Sequence, residues 1–146
     1  MNLVNDQVRI SGEILGMDVR DPSNAGSLGL TTSYQSLDSL SIIFTSDRTG
    51  YVEIDCHLCV EKITSGSVEA VYFELVDSEN RTLDEKVGKA FHSSDGLDVV
   101  RISFMLSVSA NTSYEYRLRA KSSSNSTFVA YWGGQYPLLM MKVVGL

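Results

Sequence analysis

From Val52 to Val60 the chain alternates strictly. Val52, Ile54, Cys56, Leu58 and Val60 are the apolar set, and Glu53, Asp55, His57 and Cys59 fall between them. Successive side chains of an extended chain point to opposite faces, so this is a strand with one buried and one wet face. The same period returns in Leu40, Ile42 and Phe44, in Val71, Phe73 and Leu75, and in Val100, Ile102, Phe104, Leu106 and Val108. It returns again in Tyr114, Tyr116, Leu118 and Ala120, in Phe128, Ala130 and Trp132, and in the last run, Leu138 to Val144. Turn-forming stretches separate these runs: Ser46-Asp47-Arg48-Thr49-Gly50, Ser65-Gly66, Asp77-Ser78-Glu79-Asn80, Ser109 to Ser113 and Ser122 to Ser126. Short strands at close intervals with tight turns describe an all-β antiparallel sandwich or barrel. Parallel βαβ units would need helical crossovers, and no helical period lies between the runs.

The 146 residues fit one domain with a core of useful size. Residues 37–146 carry the regular strands and form the expected sandwich. Residues 1–36 differ. Val8, Ile10 and Ile14 suit one early strand, and Asp18 to Ser36, rich in Gly, Ser, Asn and Thr, reads as a long ordered loop or extended arm. Ser78 to Asp98 is a second irregular stretch, with a short strand expected around Leu83 to Val87. Met1 to Gly12 lacks the basic, apolar, small-residue order of a leader, and no apolar run nears the roughly 20 residues that cross a bilayer, so neither a leader nor a membrane partner is expected. The net charge is −6. Arg117, Arg119 and Lys121 alternate and read as the wet face of a strand rather than a counterion-replacing patch, so no nucleic-acid partner is expected. The three Asn-x-Ser/Thr triplets, at Asn80, Asn111 and Asn125, read as turns.

Catalytic chemistry is hard to place. The imidazoles are His57 and His92, and no Gly-x-Ser-x-Gly elbow offers an exposed serine. No phosphate-cradling glycine loop is present. The acids gather in turns, where solvation is their ordinary state. The group Asp77, Glu79, Asp84 and Glu85, and Asp95-Gly96-Leu97-Asp98, offer oxygens but do not follow a dedicated calcium loop. Cys56 and Cys59 sit three apart in a strand. Their side chains point to opposite faces and their Cα atoms lie about 10 Å apart, beyond the roughly 7 Å a disulfide spans. No enzyme activity, metal or cofactor is expected.

Two features point to binding. Phe128 to Pro137 is the most aromatic stretch, and Tyr131, Trp132 and Tyr136 suit either a glycan contact or a core strand closed by a turn. The final run places Leu138, Leu139, Met140, Met141, Val143 and Val144 on both faces of one strand. A sheet with one wet face would leave half of them in water. Either a subunit interface covers them, which is the favoured expectation, or the strand is central and something else in the chain covers it.

The order of these segments resembles a known group of proteins. Thr31-Thr32-Ser33-Tyr34-Gln35-Ser36-Leu37 leads into Leu40-Ser41-Ile42-Ile43-Phe44. Gly50-Tyr51-Val52-Glu53-Ile54, Val71 to Asp77, Arg101 to Ser107, Tyr114 to Leu118 and an apolar last strand follow. From Thr31 to Leu146 the chain resembles the small jelly-roll domains of tailed-phage virions, similar in build to tumour-necrosis-factor-like trimers. These occur as head decoration (cement) proteins and as fibre knobs. The resemblance implies a jelly-roll-like sandwich, a homotrimer and no catalytic residue. It implies a structural role on the outer surface of a phage head, with the major capsid protein as partner. No shaft or coiled coil precedes the domain, which favours decoration over a glycan-binding knob at a fibre tip.

Overall fold

The computed structural model describes residues 13–19, 26–62, 69–91, 97–123, 128–132 and 140–146. The elements in chain order are β1 (Ile14–Val19), β2 (Gly26–Gly29), β3 (Gln35–Ser46), β4 (Gly50–Lys62), β5 (Glu69–Val76), β6 (Thr82–Phe91), β7 (Leu97–Val108), β8 (Thr112–Ser122), β9 (Phe128–Trp132) and β10 (Met140–Gly145). No helix lies among the described residues.

The strands form two antiparallel sheets, one of six strands and one of four in the order β3-β8-β5-β6. In the larger sheet β4 is the spine. β7 pairs with it from Gly50↔Val108 to Glu61↔Leu97. Along the other edge β10 pairs with Val52 to His57 and β9 with Cys59 to Lys62. β1 lies outside β10 and β2 outside β9. The result is the expected jelly-roll-like sandwich. Its core is the inward set of each alternating run, centred on Phe73 and Phe104. Phe44 stacks on Tyr114 at 5.6 Å and meets Tyr116 at 5.6 Å.

The turns use the expected chemistry. In the β5–β6 turn Asp77 Oδ1 accepts from the amides of Glu79 (2.9 Å) and Arg81 (3.0 Å), while Oδ2 accepts from Arg81 Nε (2.8 Å). These bonds hold the Asp77 carboxyl below its ordinary pKa. Asn80 and Asn111 take positive φ, 61° and 56°, a conformation Asn tolerates better than most residues.

Two expectations need correction. Asp18 to Ser36 is not simply a loop or arm: Asp18 and Val19 end β1, Gly26–Gly29 is β2, and Gln35 and Ser36 open β3. Their backbone joins the larger sheet and the edge of the smaller one, so the described part of 1–36 belongs to the sandwich. The strand expected over Leu83 to Val87 runs longer, from Thr82 to Phe91. Val8 and Ile10 lie outside the described residues.

β1 packs closely over β3. The register shifts between Ile14 and Gly16, and a Cβ on Gly16 would fall 2.7 Å from Ile42 Cγ2. Ile42 is buried and β-branched, so its methyl has little freedom to retreat. Gly16→Ala is expected to destabilise by about 1–3 kcal/mol through overpacking, read as a lower urea midpoint at unchanged slope.

Candidate functional site

The outer face of the six-stranded sheet is the most unusual surface of the protomer. Register sets three rows across β1, β10, β4 and β7: Ile14, Val144, Glu53, Met105; then Met17, Lys142, Asp55, Ser103; then Val19, Met140, His57, Arg101. Partners opposite each other in an antiparallel pair point to the same side. The β1 and β10 columns are apolar around a single lysine. The β4 and β7 columns mix charge with Met105. Met105 is 62% exposed and Met17 49%. Of the ten exposed large apolar side chains among the described residues, Ile14, Met17, Val19, Tyr51, Val99 and Met105 share this face, and Leu146 adjoins it, its backbone N–H donating to the Tyr51 carbonyl.

This geometry divides the residues expected at an interface. β10 is an interior strand, so its two faces differ. Met141 and Val143 are fully buried in the protomer's own core, and the expectation that they meet another subunit is corrected for that reason. Met140 and Val144, half-buried, point outward with the apolar columns. Leu138 and Leu139 lie outside the described residues. Met105 falls on the outer face by the alternation of β7 itself, whereas the outward positions of Ile14, Met17 and Val19 follow from the pairing of β1 with β10, far apart in sequence.

His57 stands in the third row beside Arg101 and Met140. Burial first, then the charges of Arg101 and Lys142, lower its pKa, against a smaller opposing effect of Asp55. The unfolded chain therefore binds a proton on this imidazole more readily than the folded one. Stability is expected to fall as pH drops through the ordinary value near 6.5 toward the lower folded one. His57→Gln removes that part of the pH dependence, which thermal midpoints between about pH 7.5 and pH 5 would show.

The other expected sites are less coherent. The backbone of Tyr131 pairs with Cys59 and Ser27, and that of Trp132 with Gly26. Tyr136 lies outside the described residues, so the aromatic set is not brought together among them. Among the described residues no group of three or more His, Cys, Asp or Glu side chains is placed to hold a metal ion. Cys56 and Cys59 are free thiols and both are buried. Burial, with neighbouring carboxylates, raises both pKa values. Neither is expected to react with an aromatic disulfide reagent at about pH 8 until the protein unfolds, when both should titrate.

A concave site occupies the opposite, four-stranded sheet. It has a volume of about 460 Å³ and is lined by Tyr34, Ser36, Ser41, Asn80, Glu115, Arg117 and Arg119. Arg117, Arg119 and Lys121 do share the wet face of β8, as their alternation implies, and each has a partner. Arg117 donates to Glu115 (3.1 Å), Arg119 Nε lies 3.1 Å from Glu74 Oε1, and Lys121 Nζ stands 4.6 Å from the centre of the Tyr34 ring.

No family model matches the chain, and no curated protein matches it by sequence. Solved structures align with most of it at low identity. An Eiger TNF from S. frugiperda is 9% identical, with 94% of each chain covered and a TM-score of 0.49. A family 35 carbohydrate-binding module from an environmental isolate is 10% identical, covering 93% of this chain and 88% of that one, at 0.46. Latent PorU from Porphyromonas gingivalis is 10% identical and covers 93% of this chain but 13% of its own, also at 0.46. At these identities and scores the likeness assigns no activity, ligand or partner.

Proposed function

We propose that this chain is a structural binding protein that joins copies of itself through the outer face of its six-stranded sheet, and that the resulting homotrimer decorates a phage head. The observation that carries the self-assembly is the apolar ground of exposed Ile14, Met17 and Val19 on β1 with half-buried Met140 and Val144 on β10, with Met105 and Val99 exposed on β7 across the polar β4 column. Monomeric proteins seldom leave contiguous apolar patches in water, and such patches usually mark an interface. The charges on the same face have both signs: Asp55 stands opposite Lys142, with Glu53 and Arg101 in the rows on either side. A second copy can therefore supply opposite charges as well as apolar area, which favours self-association over a strongly acidic or basic partner.

The trimer and the virion setting rest on the resemblance of strand order to phage jelly-roll proteins. The mechanism is passive. A trimer seated over junctions between major capsid proteins adds buried area that resists outward pressure, at about 25 cal/mol per Å² of apolar surface removed from water. The test is to add purified protein to phage heads that lack their decoration protein. Saturable binding with a higher temperature of head rupture supports this role. No binding, or binding without added heat resistance, refutes the decoration role and leaves self-assembly to be judged by mass.

A further inference from the structure

The concave site on the four-stranded sheet carries an inference independent of assembly. It lies at a break in the β3–β8 ladder. Ser36 pairs with Arg119 and Ser41 with Arg117. Partners two apart on β8 are thus met by residues five apart on β3, and the intervening chain leaves the ladder there. Leu37 and Leu40 within that excursion are fully buried and pin it to the core. The excursion leaves two serines on ladder positions facing two arginines, at a fixed spacing. Bulges that re-aim side chains in this way are frequent beside binding sites.

The charged groups are held in place before any ligand arrives. Arg117 uses Nε and Nη2 to bond Glu115 Oε1, at 3.3 and 3.1 Å. Arg119 forms an ion pair with Glu74, Nε to Oε1 at 3.1 Å, and Glu74 is 5% exposed and accepts a hydrogen bond from Thr82 Oγ1 at 3.0 Å. A guanidinium carries five N–H donors, so each fork keeps donors beyond those its carboxylate takes. The two arginines are balanced by two glutamates. The surface thus presents donors from Arg117, Arg119 and the Asn80 amide, acceptors from Glu115, and hydroxyls from Ser36 and Ser41 that do both. A phosphate or carboxylate would meet Glu115. A ligand with vicinal hydroxyls, each both donor and acceptor, matches the alternation without a charge penalty. The volume of about 460 Å³ lies within the roughly 300–1,000 Å³ range of small-molecule sites.

We propose that this cavity between β3 and β8 binds a neutral saccharide, with Arg117, Arg119, Ser36 and Ser41 as its hydrogen-bonding groups. The site lies on the sheet opposite the apolar face, so covering that face leaves it open, and an assembly displays several copies whose weak affinities combine.

The test applies the full chain to an array of neutral, sialylated and sulfated glycans, with Ser36→Ala, Ser41→Ala and Arg117→Gln beside it. Neutral glycans are expected to be retained. Arg117→Gln should weaken binding at least tenfold and the serine variants severalfold, at unchanged thermal midpoint and mass. Ser36 is exposed, so its variant stays informative if Arg117→Gln folds poorly. Retention of acidic glycans alone, of none, or of neutral glycans equally by the parent and the serine variants overturns the proposal. The mass of the same preparation reports on self-assembly separately.

Discussion

Placing glutamate at both Met17 and Met105 is expected to leave single protomers of 16.1 kDa in solution, whatever the parent's assembly. The two residues stand on β1 and β7, at opposite sides of the proposed interface, and are 49% and 62% exposed in the protomer. In the free chain the new carboxylates remain in water, and exposed substitutions of this kind change stability by no more than about 0.5 kcal/mol. In the assembly the carboxylate at 17 would stand opposite Lys142, but the one at 105 would be buried opposite the like-charged Glu53 with no cation across the strands, at a cost of several kcal/mol. A loss of about 3 kcal/mol already weakens association by roughly a hundredfold. Light scattering after gel filtration reads the mass, and circular dichroism verifies the sheet. A variant that keeps the parent's multimeric mass would place the interface elsewhere.

The largest effect on stability is expected from Phe104→Ala. Phe104 is fully buried, pairs with Ile54 across β7 and β4, and is among the largest core side chains. Truncating a buried phenylalanine costs about 3–5 kcal/mol, from lost transfer energy and the cavity left behind. Against a total of roughly 5–15 kcal/mol for a domain, the variant would be marginal. Met105→Ala, one residue along, is expected to cost far less, since its side chain points into solvent. Urea unfolding of the pair tests the sandwich itself, and equal losses at both positions would contradict the parity on which it is built.

How much of this could be read from the residues follows from which interactions are local. Alternation within β4, β7 and β8 is a property of the strand alone, and the inward sets named from it are the ones the core contains. β2 could not be read, because Gly26-Ser27-Leu28-Gly29 has no alternation of its own and exists through its pairing with β9. The last run was read as apolar on both faces, but β10 splits it: Met141 and Val143 fill the core, and Met140 and Val144 face out. Of the strand named for the interface, only Met140 and Val144 among the described residues are left to face a partner, and the other apolar residues on that face come from β1 and β7. The cavity on the smaller sheet was illegible for a similar reason. Arg117 and Arg119 were seen to share a wet face, but the register break that sets Ser36 and Ser41 against them is a relation between β3 and β8, 76 residues apart at Ser41 and Arg117.

The association of like subunits through the β1–β10–β4–β7 face is tested most directly by the mass of the unmodified protein in dilute solution. A value near three times 16.1 kDa is expected. A value of 16.1 kDa that persists as concentration rises would mean that this apolar face meets no second copy, and the assembly reading would fall with it.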